Sequence, residues 1–244
     1  MKCCICNSDI VGQYYQDYWG NKICHSHMLN NEVTFCASCG AFVQSNNHTG
    51  DGRSLCSNCL YTVVSEAEQV NKLKEFVLLR FMEIGVLFDD RYLESVEIDI
   101  VSPYKMAEIT HQGFNLSNKG ITISSSFNFL GAKYLGIKNK YKHHIYILSY
   151  LPKIEFTATL AHEILHIWQI ENGLQYPPIK CEGLCNIGSY LIYEKMSAQK
   201  ASFYKKNLKE SPDPIYGDGF RLIYEIYEKY GFEELFEMAK NYKL

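Results

Sequence analysis

Residues 162–166 read His-Glu-Ile-Leu-His. On a helix, histidines at i and i+4 share one face, so both rings can reach a single metal ion. Glu163 is turned about 100° away, which places its carboxylate to work on a water at that ion rather than to ligate it. Two imidazoles, a carboxylate base and an open coordination position are the parts of a zinc-dependent hydrolase. A third protein ligand is needed. Glu182 is the candidate: it lies past Pro177-Pro178, near the start of the segment CEGLCNIGSYLIYEKMSAQ. Glu194 on the same segment is the fallback, with a surface carboxylate as its simpler reading. At a helical rise of 1.5 Å per residue it lies about 18 Å further along, so the two cannot serve one ion. Cys181 and Cys185 flank Glu182 and read as packing residues.

A second group of chemically capable residues sits at the other end. Eight of the ten cysteines fall within the first 59 residues. Cys3-x2-Cys6 is followed by Cys24-x2-His27, and Cys36-x2-Cys39 by Cys56-x2-Cys59. Each quartet offers four ligands in two knuckle-like pairs, the requirement of a closed tetrahedral zinc site. Cys4 and His25 are spare by the two-residue rule and read as surface residues or as neighbours of the ligands. Trp19, with Tyr14, Tyr15 and Tyr18, reads as the small core between the two sites. So short a segment buries little apolar surface, so the metals would supply much of its folding free energy.

The elements that must position these groups follow from periodicity. Ser65-x-x-Glu68 reads as a capping box, and Val70, Leu73, Val77, Phe81 and Ile84 then share one face of a helix over residues 65–84 that Gly85 ends. VEIDIV, GITISS and HHIYILSY read as strands. HHIYILSY, just ahead of the HExxH helix, is expected at the sheet edge where an extended substrate could pair. The basic run KNKYKHH reads as a solvated loop. Residues 155–172 form a helix that stops at Gly173, with Phe156, Leu160, Ile164, Leu165 and Trp168 as its buried side. Gly183 is expected to leave room for the helix after it to approach the histidines.

Composition narrows the function classes. Hydrophobic residues make up 47% and charged residues 21% of 244, the balance of a globular protein rather than a disordered one. A net charge of −3 argues against nucleic acid as a partner. There is no apolar run of bilayer length and no signal peptide, so neither membrane association nor export is expected, and the location expected is cytoplasmic.

The segments WGNKIC, DGRSLCSNC, LAHEILHIWQIENG, CEGLCN and YGDGFRLIYEIYEKYG, in that order, resemble the DA-one group. These are LIM-domain peptidases best known in plants as ubiquitin-activated regulators of organ size. The resemblance covers nearly the whole chain. It implies an α+β protein: an N-terminal LIM-like double zinc-finger domain over residues 1–62, a connecting helix over 63–94, and a zincin-like metallopeptidase domain over 95–244. Two structural zinc ions would be held by Cys3, Cys6, Cys24, His27 and by Cys36, Cys39, Cys56, Cys59. One catalytic zinc would be held by His162, His166 and Glu182, with Glu163 as general base. Ubiquitin-interacting motifs, which precede the LIM domain in the plant proteins, have no counterpart in these residues, so ubiquitin activation is not carried over; a bacterial member lacking them fits the pattern. The gap between His27 and Cys36 also departs from a standard LIM module. The expected activity is a zinc metalloendopeptidase acting on a protein or peptide substrate, with a further protein partner conceivable at the LIM-like domain. Tyr190, Tyr193, Tyr216 and Arg221 are candidates for stabilising the oxyanion. The rival reading is a LIM-like adaptor whose peptidase fold is inactive.

Overall fold

A computed structural model describes residues 1–46, 48–88, 96–127, 140–196 and 200–244. The chain divides into two compact units. One comprises Met1–Val64 with Tyr150–Glu155, the other Ser65–Ser149 with Phe156–Leu244.

The first unit is built from short pieces. A hairpin of β1 (Tyr14–Gln16) and β2 (Lys22–Cys24) leads into the one-turn helix α1 (His25–Leu29). A second hairpin of β3 (Val33–Phe35) and β4 (Phe42–Gln44) precedes the short helix α2 (Ser57–Tyr61). Its core consists of two clusters, each threaded by cysteines. Ile23, Val33 and Phe42 pack with Cys3, while Val43 and Leu55 pack with Cys36, Cys39 and Cys59. Trp19 packs against the second cluster and donates its indole N–H to the Cys39 carbonyl at 2.8 Å. Tyr14, Tyr15 and Tyr18 do not join it. They are exposed; Tyr14 and Tyr15 stand on a three-residue ribbon, with no second layer to bury against. Residues 150–155 join this unit through backbone: Lys153 N–H donates to Thr62 O at 2.7 Å and Val64 N–H to Leu151 O at 3.1 Å.

The second unit opens with α3 (Ala67–Met82). Its capping box starts one residue later than the sequence suggests: Glu66 is the N-cap, and the Gln69 side chain reaches back to the Glu66 N–H at 3.1 Å. Val70, Leu73, Val77 and Phe81 are its buried stripe, at the spacing of one helix face. Gly85, at φ +77°, ends it with Val86 N–H bonded to Phe81 O and Gly85 N–H to Met82 O, the Schellman pattern.

Among the described residues a three-stranded mixed sheet follows. β5 (Glu97–Val101) leads through α4 (Pro103–Thr110) to β6 (Gly120–Phe127) and β7 (Lys140–Leu148). The order is β5-β7-β6, with β5 parallel and β6 antiparallel to β7. Two expectations change here. HHIYILSY lies in the central strand, not at an edge, which suits its fully buried Ile145, Ile147 and Leu148. The described part of KNKYKHH is strand rather than loop; Lys138 and Asn139 lie outside the described residues. Alternation along β7 turns His143 inward with Ile145 and Ile147, where it is 0% exposed. Ser124 Oγ at 2.7 Å and Glu171 Oε1 at 2.7 Å satisfy its two ring nitrogens, so a residue that looks solvated by type is buried as part of a polar network.

Among the described residues the unit is completed by α5 (Lys153–Glu171, its first residues in the other unit), α6 (Pro178–Lys195), α7 (Ala201–Glu210) and α8 (Tyr216–Lys240), the last broken at Gly231, whose φ is +81°. Phe156, Leu160, Ile164, Leu165 and Trp168 of α5 are buried, and Gly173 at φ +66° ends it. Residues 197–199, at the end of the segment read as the next helix, lie outside the described residues. Gly183 does not face α5. A Cβ there would run into the Gly219 carbonyl of α8, whereas Gly188 is the residue beneath Leu165 and Ala161 of α5.

Candidate metal centres

The first quartet is assembled by the turn at Cys3–Cys6 and by α1, whose N-cap is Cys24 and whose third residue is His27. Among the described residues Cys3, Cys6, Cys24 and His27 bring their ligand atoms within 4.8 Å of one another. His27 points Nδ1 at the Glu32 carboxylate, while its Nε2 is buried with no hydrogen-bond partner. The Cys6 thiol is held down to about 6 by His27, and His27 is pushed up to about 9 by Cys6 and then Glu32. A buried orphan nitrogen on a ring grouped with three cysteines, its other nitrogen held by a carboxylate, is the arrangement of a zinc-binding histidine. Cys4 is exposed and His25 stacks on Tyr15; neither belongs to the quartet.

Cys36, Cys39, Cys56 and Cys59 form the second group, the last two at the N-cap and in the first turn of α2. Cys39 Sγ and Cys56 Sγ are 3.7 Å apart. Two sulfurs on a tetrahedral zinc, at bonds of ~2.3 Å, lie about 3.8 Å apart. Crowding drives the thiols in opposite directions: hydrogen bonds from Cys36 and Cys39 hold Cys56 far down, and Cys36 then Cys56 push Cys39 far up. A divalent cation removes that conflict by letting all four ionise. Both cysteine-rich sites can therefore bind zinc.

The third group belongs to the second unit. His162 and His166 sit one turn apart on α5, their Nε2 atoms 3.2 Å from each other. Glu182 Oε2, from the second turn of α6, lies 3.1 Å from His162 Nε2 and 3.5 Å from His166 Nε2. Ligands of a tetrahedral zinc at ~2.0–2.1 Å lie about 3.4 Å apart, so this donor set fits the ion in chemistry and in spacing. Burial works against the charged forms of both partners. Even so, His162 and His166 hold Glu182 down to about 2, and Cys181 then Glu182 push His166 up to about 10.

Glu163 stands beside them, 4% exposed. Thr122 Oγ, on the inward face of β6, donates to its carboxylate at 2.8 Å. Gly120, two residues earlier on the same face, leaves space that a Cβ would take from the Glu163 carboxylate. Glu194 is not brought in. It accepts from Tyr190 OH at 3.0 Å and Tyr227 OH at 3.3 Å and pairs with Lys205 at 3.7 Å. The oxyanion candidates separate too. Tyr190 is spent on Glu194, Tyr193 stacks on Tyr204, and Arg221 donates to the Ser211 and Lys209 carbonyls. Tyr216 alone of the four lies against the histidines, its ring stacked on His162 at 6.3 Å. Burial, then Glu182 and Glu163, push its hydroxyl up to about 12, so it keeps its proton at neutral pH. Asp213 fixes it there by accepting from the Ile215 and Tyr216 N–H groups at 2.8 and 2.7 Å.

Cys181 and Cys185 are more than packing. Cys185 Sγ is 3.3 Å and Cys181 Sγ 3.9 Å from His166 Nδ1. Sequence reasoning missed Thr122, Gln169 and Asn186. Asn186 had a signal, since it stands one helical turn after Glu182; Thr122 had only its place in the alternation of β6.

Against known proteins, the chain is 25% identical over an alignment of 280 residues to LIM domain-containing protein HDR3 of Oryza sativa subsp. japonica, covering 89% of this chain and 55% of that protein. It is 24% identical over 295 residues to Protein DA1 of Arabidopsis thaliana, covering 97% and 55%. Protein DA1-related 2 of the same plant is 22% identical over 271 residues, covering 88% and 51%. Its distant homologues are LIM-domain and DA1 proteins. The chain spans about half the length of these relatives. No protein-family model and no solved structure matches it. With two cysteine-rich clusters that could each hold zinc at the front of a mixed helix and strand chain, it is similar to LIM-domain proteins. No helix among the described residues is long and apolar enough to cross a membrane.

Proposed function

We propose that the second unit is a zinc-dependent peptidase centre. The observation that carries this reading is the convergence of His162 Nε2, His166 Nε2 and Glu182 Oε2 within 3.5 Å, with the Glu163 carboxylate alongside. Zinc held there supplies Lewis acidity, polarising a carbonyl and acidifying a water. Glu163 is oriented by Thr122 with one carboxylate oxygen left to take the proton of the attacking water and pass it to the departing amine. Tyr216 keeps an O–H beside His162 that can donate to an oxygen as negative charge develops on it. The edge suited to an extended chain is β6, whose neighbour in the sheet lies on one side only among the described residues. For the first unit, the two quartets and the LIM-type relatives support a protein-binding role.

The test is Glu163→Gln in the full chain against an unfolded protein substrate. The amide keeps shape but cannot accept a proton, so cleavage should fall at least ~10²-fold with bound zinc unchanged. Equal cleavage by variant and parent would remove Glu163 from the chemistry and leave the first unit's binding role as the better reading.

A further inference from the structure

Each histidine of the third group has a second ring nitrogen, and both are taken up by consecutive residues of α6. His162 Nδ1 lies 3.0 Å from Asn186 Oδ1, and His166 Nδ1 lies 3.3 Å from Cys185 Sγ. The direction of each bond can be worked out from what lies behind it. Asn186 Nδ2 donates to the Tyr216 carbonyl at 3.0 Å. A carbonyl only accepts, so the amide oxygen is the atom facing His162. An amide oxygen also only accepts, so Nδ1 of His162 carries the hydrogen and Nε2 is left with its lone pair. At His166 the logic repeats with sulfur. Gln169 Nε2 donates to the Cys181 carbonyl at 3.1 Å, which fixes that amide, and donates to Cys185 Sγ at 3.2 Å. Its Oε1 accepts from the Cys181 thiol at 2.8 Å. Cys185, fully buried, is thus an acceptor toward Gln169 and is free to accept from His166 Nδ1–H in the same way.

We propose that Asn186 and Cys185 are positioning residues of the metal centre, holding both histidines as Nδ1–H tautomers so that both Nε2 lone pairs aim at Glu182. This rests on the zinc-peptidase reading of the cluster. Residues 182, 185 and 186 stand at i, i+3 and i+4, so one face of α6 supplies the carboxylate and the orienting partner of each imidazole. Asn186 also ties His162 to the backbone of Tyr216. Partners of this kind set ring orientation and ligand basicity, and losing one costs about 10–100-fold in metal affinity.

The experiment uses the full chain loaded with cobalt(II), a paramagnetic stand-in for zinc. Ring N–H protons of cobalt-bound histidines shift far from the ordinary NMR range. The parent should show such exchangeable signals for His27, His162 and His166. Asn186→Ala should lose the slow-exchanging His162 signal, and Cys185→Ala that of His166. Each should weaken cobalt at the third site about 10–100-fold by chelator competition, with the His27 signal as the loading reference and an unchanged far-UV circular dichroism spectrum as proof of fold. Asn186→Asp, which keeps an acceptor oxygen for His162 but gives up the bond to the Tyr216 carbonyl, should restore the signal and most of the affinity, and it serves if the alanine variant does not fold. Alanine variants with unchanged signals and affinity, or a folded Asn186→Asp that loses the metal, overturn the inference. A parent that binds no third metal overturns the zinc-site reading first.

Discussion

At the scale of single residues, zinc proposed at the third group would compete with a proton. Burial works against charge on His166, yet Cys181 and Glu182 raise it to about 10, so below that pH a proton would have to leave before Nε2 could ligate. Zinc affinity at this site should therefore fall roughly tenfold for each unit that pH drops through the neutral range, measured by chelator competition. Glu182→Ala removes the only carboxylate of the cluster and should abolish tight binding there, with the two front sites unaffected. Glu194→Ala should leave zinc in place, because Glu194 serves Tyr190, Tyr227 and Lys205; its cost is to stability. Zinc loss from Glu194→Ala with retention in Glu182→Ala would reverse these roles. The HExxH residues and Glu182 were legible in the sequence because i, i+4 spacing and chain order alone confine them. Thr122 and Gln169 were not, because nothing in residue type marks which hydroxyl or amide a fold will carry to a carboxylate or a thiol.

At the scale of elements, two glycines decide how α6 and α8 meet. A Cβ on Gly183 would collide with the Gly219 carbonyl, and one on Gly219 with the Ile179 carbonyl. Backbone cannot yield as a side-chain tip does. Gly183→Ala and Gly219→Ala should each cost on the order of 1–3 kcal/mol, lowering Tm by several degrees in a thermal melt. Gly113→Ala, with nothing within 4 Å, should be close to neutral. Equal melting of all three would show that the helices are not packed through these residues. The sequence pointed to close approach at Gly183 but not to the right helix, since one residue's size says nothing of its neighbour. The same limit misplaced β7. HHIYILSY was readable as a strand, but its central position depends on pairing with β5 and β6, and the burial of His143 depends on Ser124 and Glu171 reaching it.

At the scale of the whole molecule, the chain carries two units whose demands for metal differ. The first has a core of few apolar side chains interleaved with cysteines, so zinc held there would supply much of its folding free energy. The second has an extensive apolar core around α5 and α6, and its metal would serve chemistry rather than folding. That contrast was visible in the spacing of the cysteines and in the apolar flanks of HExxH; the inclusion of Tyr150–Glu155 in the first unit was not, because it rests on backbone pairing far along the chain. The most direct measurement is elemental analysis of zinc per chain, in the purified parent and in His162→Ala. The account predicts three zinc ions in the parent and two in the variant, the lost ion being the one without sulfur ligands. Two in both proteins, or three in both, would contradict a zinc centre built on His162.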